Sequence, residues 1–469
     1  MDAPLYEKIA NTIEQQVQEG IFPAGAKIPS VRKSSKQMEV SVATVLQAYS
    51  LLEDRGIIKA RPQKGYFVQE HYLTKSPVAP DISQKDTSTH ALLSRLLHAS
   101  QDEDIIQFGA AIPNSQFLPI RQLQRSVGRL MRLEPEICAA YEFTPGSLSL
   151  RRQIAIRMLD AGCQLQPDDI VITLGCQNAL ILALQAVVQA GDTIAIESPT
   201  YHGILQAVEV LNLNVIEIPC DSEHGIDLEL LNDTVHNQSI KACIVTPNNQ
   251  NPTGATLSSA NRKRLLECAD QHNFMIIEDD VYGELGYFAK RERALKADDN
   301  LGRVIYCSSF SKSIAPGFRI GWIIGGALHT KINHLAYAQS LAIPTLTQTA
   351  IANFLENGAY DRHLRKTRQT YQENLLHCQQ LIQQHFPEGT QVSSPKGGFL
   401  LWVTLPKEID AMQVHAQALE NSIGILPGLA FSMSAEFKHH FRLNYALSWD
   451  NYSDAALRML GKLCYQQLS

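Results

Sequence analysis

The sequence predicts an α/β protein made of a small basic head, a tether and a large body on a mainly parallel sheet. Three observations carry that reading. The chain has 469 residues, enough for about three domains or for one large α/β unit with an attachment. Charge is unevenly spread: eight bases against three acids between Lys27 and Lys64 give a local +5, while the whole chain has a formal net charge of −6. From about Ile105 onward, short β-branched runs alternate with helical patterns, as expected of strands covered on both faces by helices. Composition agrees, since 45% apolar and 19% charged residues support a sizeable core and exclude a disordered, collagen-like or coiled-coil chain. The overall charge gives no reason to treat the whole molecule as a nucleic-acid binder.

In the head, Leu5, Ile9, Ile13 and Val17 recur every fourth residue, which places one apolar stripe on a first helix ending near Gly20. Ser30 is placed to cap a second helix from Arg32 to Met38. After a tight turn at Glu39-Val40, Ser41 caps a third, Val42 to Asp54, with Val45, Tyr49 and Leu52 inward and Gly56 as its stop. IIKARPQKGYFVQ then reads as a two-stranded hairpin with Arg61, Lys64 and Gly65 at its tip. Three helices and a basic hairpin make a winged helix-turn-helix. Its third helix offers N-terminal residues to the major groove while the wing and helix ends hold phosphates.

Residues 71–104 carry Ser76-Pro77, Ala79-Pro80 and a polar run and read as a linker. The expected divisions are therefore 1–70, 71–104 and 105–469. Nine scattered cysteines without a C-x-x-C pair read as reduced core thiols of a cytosolic protein. The N-terminus lacks a basic segment followed by an apolar run. The stretch Ala179 to Val188 is broken by Gln185 and falls short of a bilayer span, so a soluble cytoplasmic protein is expected.

In the body, IVITL (170–174), TIAIE (193–197), NVIEIP (214–219), ACIVT (242–246), FMIIED (274–279) and RVIYCSS (303–309) are the expected strands. Five segments carry chemistry. TLGCQNAL opens a helix at a glycine turn through Gly175, Cys176 and Gln177, where free N–H groups suit an anion. NNQNPTG brings Asn251 to the carboxyl edge of the sheet. IIEDDVYGEL ends a buried strand at Asp279, with Tyr282 three residues on. SSFSKSIAPGFRIGW supplies Ser309, Ser311, Lys312 and Arg319, and HHFRLNYA places Arg442 in an extended stretch. A lysine whose ammonium a nearby arginine helps to deprotonate can form a Schiff base. A buried Asp needs a cation such as a protonated pyridine. The turn, Ser309 and Arg319 suit a phosphate, and Asn251 with Tyr282 a phenolate-type oxygen, so every element of pyridoxal 5′-phosphate has a partner. His439-His440 is not read as a metal pair, because adjacent histidines in a strand face opposite ways. No metal is expected.

Residues 4–69, with L-Y-x-x-I-A, G-x-x-x-x-G-x-x-I-P-S-x-R, V-S-x-x-T-V-x-x-A-Y-x-x-L and R-P-x-x-G-Y-F-V, resemble the N-terminal domain of the GntR regulators. The resemblance implies DNA contacts by Arg32, Ser41, Thr44, Lys64 and Gly65. Val42 stands where the family often has Arg, and Ser34-Ser35 where it usually has Leu-Ala. From about residue 105, N-P-x-G, D-x-x-Y, S-x-x-K with Arg seven beyond and a late Arg resemble the fold-type I, class I/II aminotransferases. That implies a smaller C-terminal α+β subdomain and an internal aldimine at Lys312. It further implies Asp279 on the ring nitrogen, Asn251 and Tyr282 on the ring oxygen and Tyr201 stacked on the ring. Gly175, Cys176, Gln177, Ser309 and Arg319 would surround the phosphate, Ser311 would be a further cofactor contact, and Arg442 would clasp an amino-acid carboxylate. Tyr141 of YEFTPG would reach the cofactor of the other subunit in a homodimer. Together the two halves resemble the MocR subfamily. This implies a regulator that binds double-stranded DNA and senses an amino acid or amine by external aldimine formation. The alternative is a working aminotransferase with a DNA-binding head.

Overall fold

The computed structural model describes residues 4–69, 105–288 and 290–468, which fall into two compact units, the head and the body. The expected linker, 71–104, lies outside the described residues.

The head has helices α1 (Leu5–Gln18), α2 (Val31–Gln37) and α3 (Val42–Asp54), followed by the hairpin strands β1 (Ile58–Arg61) and β2 (Gly65–Val68). Ser30 and Ser41 cap α2 and α3 by accepting the N–H of Lys33 at 3.3 Å and of Thr44 at 3.1 Å, each satisfying a donor that the helix start leaves open. Glu39 holds the turn between them at φ +54°. Val45, Tyr49 and Leu52 are fully buried with Ile9, Ala10, Ile13 and Val17, whereas Leu5 is 55% exposed and outside this core. Ser34, unusual for an interior position, is accommodated by Tyr49. The two hydroxyls lie 2.8 Å apart, and Tyr49 also donates to Pro29 O at 2.7 Å, so the buried polar atoms are paired.

The body contains helices α4 (Ile120–Leu133), α5 (Cys176–Val187) and α6 (Ala359–His385) among others. Its eight-stranded sheet has β3 (Ile170–Thr173), β4 (Thr193–Ser198), β5 (Asn214–Asp221), β6 (Gly225–Ile226), β7 (Ala242–Val245), β8 (Met275–Asp279), β9 (Val304–Ser309) and β10 (Gly321–Ile324). The order is β3-β10-β9-β8-β7-β4-β5-β6. All six expected runs are strands. β10, antiparallel to both of its neighbours, was not anticipated, because a four-residue apolar run carries no distinguishing period. β3, β7, β9 and β10 are buried along their whole length, as a doubly covered sheet requires.

A smaller antiparallel sheet follows, made of β11 (Gln391–Val392), β12 (Leu400–Thr404), β13 (Leu426–Pro427) and β14 (His440–Asn444), in the order β11-β12-β14-β13. It shares one apolar core with α6 and the C-terminal helix through Tyr371, Leu401, Phe441 and Leu457. Ile106–Gln107 pairs in parallel with Ile423–Gly424, which ties the start of the described body to this subdomain. All nine thiols are free; seven are buried and Cys176 is half-buried, but Cys138 is exposed rather than in the core. Among the described residues no helix is long and apolar enough to cross a membrane.

Candidate functional site

Open α/β sheets bind ligands outside the carboxyl ends of their strands, and the expected residues converge there. Asp279 ends β8 and Ser309 ends β9, while Gly175 and Tyr201 follow β3 and β4 and Lys312 follows β9. A cavity of about 90 Å³ is lined by Cys176, Gln177, Tyr201, Asn251, Asp279, Tyr282, Ser309, Ser311, Lys312 and Arg319. Beside it, sharing Tyr201, Ser311, Lys312 and Arg319, opens a second cavity of about 260 Å³ whose wall includes Arg442, His202, His415 and Ile425. Tyr141 lines neither; it is 70% exposed and stacks on Phe143, with ring centroids 5.7 Å apart.

Electrostatics single out Lys312 and Asp279. Burial, reinforced by the positive charges of Arg442 and Arg319 and opposed by Asp279, draws the Lys312 ammonium down to about 8. Its Nζ donates to Ala111 O at 2.7 Å. Asp279 is pushed up to about 6 by burial, against hydrogen bonds from the Cys176 thiol at 3.3 Å and the Val281 N–H at 3.2 Å. No cation pairs with this carboxylate at bonding distance among the described residues. The Cys176 side chain therefore serves Asp279 rather than an anion at the turn, where its backbone N–H remains.

That turn is shaped by glycine. Gly175 has φ +81°, and a Cβ on it would lie 2.5 Å from Arg319 Nη2, so only glycine lets the guanidinium approach the start of α5. Arg319, itself at φ +54°, donates to Leu174 O at 2.9 Å. Ser309 Oγ accepts the Ser311 N–H at 3.3 Å. Gln177 donates to Gly203 O at 2.7 Å, while its Oε1 and the Ser311 Oγ are buried and unpartnered among the described residues. Gly203, too, is forced, because a Cβ there would fall on the Tyr201 ring and Gln177 Oε1.

Arg442 is 1% exposed. Its guanidinium donates to Asn251 Oδ1 at 2.9 Å and Gly109 O at 2.5 Å and lies 4.9 Å over the Phe431 ring. Burial lowers it to about 10, and no carboxylate pairs with it among the described residues. The strap Gly109–Ile112 supplies the carbonyls for Arg442, Lys312 and Asn444. The strap, Phe431 and His202 were not anticipated. The strap and Phe431 reach the site from segments far apart in the chain, with no local pattern to mark them, and His202 follows Tyr201 directly.

In the head, Arg32 on α2 and Ser41 and Lys64 are exposed, and Thr44 is half-buried. The hydroxyls of Ser41 and Thr44 lie 2.8 Å apart. The Lys64 N–H closes the hairpin tip onto Arg61 O at 3.0 Å, and Gly65 has φ +102°, with a Cβ there 3.1 Å from Lys27 Cε. Two apolar side chains on α3 also face outward, Val42 and Leu46, 46% and 45% exposed.

Residues 5–68 match the bacterial regulatory proteins of the gntR family, and residues 108–460 match the aminotransferase class I and II family. Two Escherichia coli (strain K12) proteins described as uncharacterized HTH-type transcriptional regulators resemble the whole chain. YjiR is 37% identical over 473 residues and YdcR 35% over 465, in each case covering 99% of both chains. The chain belongs to the MocR type of GntR regulators. The crystal structure of a Pyrococcus horikoshii kynurenine aminotransferase in complex with PMP superposes on the MocR body with a TM-score of 0.75 at 30% identity, covering 81% of this chain and 97% of that one.

MocR proteins share the pyridoxal 5′-phosphate dependence of these aminotransferases, and the residues present fit that group. Among the described residues Asp279 has no cation at bonding distance and Gln177 Oε1 and Ser311 Oγ have no partner, and the Gly175 turn meets Arg319 at the start of a helix. When bound, the group supplies a reactive aldehyde on an electron-withdrawing ring.

Proposed function

We propose that this MocR protein is a cytoplasmic, homodimeric transcription regulator whose body senses an amino acid or amine at Lys312 and whose head grips duplex DNA. One observation carries the reading. A half-buried lysine poised near pH 8 shares its pocket with a carboxylate, Asp279, that has no cation at bonding distance, and with an arginine, Arg442, that has no acidic partner, both among the described residues, in a chain that also carries a GntR head.

In this reading Lys312 holds the cofactor and yields its place to the effector's amino group. Asp279 pairs with the ring nitrogen, Asn251 and Tyr282 bind the ring oxygen, and Tyr201 covers the ring face. Gly175, Cys176 and Gln177, by their N–H groups, join Ser309, Ser311 and Arg319 around the phosphate. Arg442 takes the effector's carboxylate in a bidentate pair, and Tyr141 completes the other subunit's site. Arg32, Ser41, Thr44, Lys64 and Gly65 contact DNA, with residues 1–70 as the binding domain, 71–104 as linker and 105–469 as the sensing body. An effector can shift DNA affinity only by binding two states of the protein unequally. Exchanging a bond at Lys312 for one at the effector, with Arg442 engaged, supplies such a difference.

The complete set of transaminase groups favours a second reading, a working aminotransferase with a DNA-binding head. Screening amino acids and amines while following visible absorption, DNA affinity and keto-acid release in the same samples separates the two. The regulator reading expects one compound to change both spectrum and affinity. Sustained keto-acid release with unchanged affinity overturns it in favour of the enzyme.

A further inference from the structure

Helix α4 carries Arg121, Arg125, Arg129 and Arg132, and there is no Asp or Glu anywhere from residue 105 to 133. At about 100° per residue the four arginines fall within a sector of about 80°. On the opposite side Leu123 and Leu130 are each 3% exposed, and Val127 packs with Ile137 and Ala350. The fold thus uses one face of α4 for its core and leaves the other as a row of cations. All four arginines are exposed, and none has a carboxylate or hydrogen-bond partner among the described residues. Like charges four residues apart weaken a helix, and this face contains two such pairs, 121 with 125 and 125 with 129. Arg121 also borders a groove of about 1020 Å³ whose other wall, on α6, presents the exposed Arg362 and Lys366 and no acidic side chain. Asp361, beside them in sequence, is already held by Arg157 at 2.9 Å.

We propose that this stripe on the body is a second DNA contact, binding the phosphates of one strand by charge without reading bases. From Arg121 to Arg132 the helix rises about 16 Å, over which one strand advances by about five phosphates at 3.4 Å each measured along the duplex axis. The inference rests on the regulator reading, which makes duplex DNA the polyanion this chain meets. A second copy of the chain suits the stripe badly, since a twofold contact through it would set arginine against arginine.

The test uses the full-length, cofactor-loaded protein and a random-sequence duplex of about 60 base pairs, with affinity measured between about 50 and 200 mM salt. In the variant R121Q/R125Q/R129Q/R132Q, the slope of log affinity against log salt becomes shallower by about two to four, roughly 0.9 for each phosphate no longer neutralised. Binding at about 100 mM weakens at least about tenfold. Visible absorption and melting temperature, unchanged, show that the variant is folded. A charge-matched control, K241Q/K263Q/K407Q/K438Q at exposed positions, keeps the wild-type slope. An unchanged slope in the arginine variant, or an equal change in the control, overturns the stripe while leaving the regulator reading intact. A wild-type chain that binds no duplex at any salt overturns both. Arginine-dependent sedimentation with phosphatidylglycerol vesicles, alongside unaltered DNA binding, would reassign the stripe to lipid.

Discussion

In the head, Arg32, Ser41 and Lys64 are exposed side chains from one short stretch of sequence, whereas in the body Asp279 and Arg442 are 4% and 1% exposed and lie 163 residues apart by number. The difference is one of physical strategy. Groups that meet a large polyanion work at the surface, where water screens them, and no single one has to be strong. Groups that activate one small molecule work in a dry pocket, where a neighbour's charge moves a pKa by whole units. Substitutions should therefore act steeply in the body and gradually in the head.

The largest effect expected is from Lys312→Ala, which removes the protonated Schiff-base absorption of the loaded protein; a retained Schiff-base band would mean that the cofactor is attached elsewhere. Asp279→Ala comes next. Breaking a buried charge pair costs about 3–5 kcal/mol, so the cofactor's dissociation constant, measured by titration, rises more than about a hundredfold. A tenfold change or less would place Asp279 away from the ring nitrogen.

In the head, Arg32→Ala weakens DNA binding by about 1–3 kcal/mol if it reads a base, with the salt slope nearly unchanged; a shallower slope by about one assigns it to a phosphate. Tyr49→Phe leaves the buried Ser34 hydroxyl without its partner and costs about 1–3 kcal/mol of head stability, read as faster hydrogen exchange in α1–α3. Unchanged exchange would show that the Ser34–Tyr49 pair adds nothing.

The smallest effect sharpens the electrostatics of the body. Lys312 has a pKa lowered from 10.5 to about 8, so its neutral, nucleophilic form accumulates as pH rises through about 8, and cofactor loading should accelerate over that range. Arg442→Leu removes a like charge and moves the midpoint upward. A midpoint that stays fixed would leave burial and Arg319 as the causes.

The head was almost wholly legible from sequence because its information is local. Caps at Ser30 and Ser41, inward Val45, Tyr49 and Leu52, and the hairpin tip each follow from a few neighbouring residues. Leu5 was the exception, since a period marks a face without saying where its cover ends. In the body, Lys312, Asp279, Asn251 and Arg442 were legible because each sits beside a strand end or in a distinctive short pattern. The strap Gly109–Ile112 and the ring of Phe431 under Arg442 were not. Carbonyl oxygens have no signature in sequence, and Phe431 reads as any core aromatic until packing brings it to the guanidinium. The turn of the Cys176 thiol toward Asp279 was hidden for the same reason, since the two residues are joined only by the sheet.

The most direct test of the central claim is to find where the cofactor is attached. Borohydride reduction of the pyridoxal phosphate-loaded protein, followed by peptide mass spectrometry, should place the pyridoxyl group on Lys312 alone, with labelling lost when an amino-acid effector is added first. Labelling of another lysine, or none at Lys312, would contradict the account.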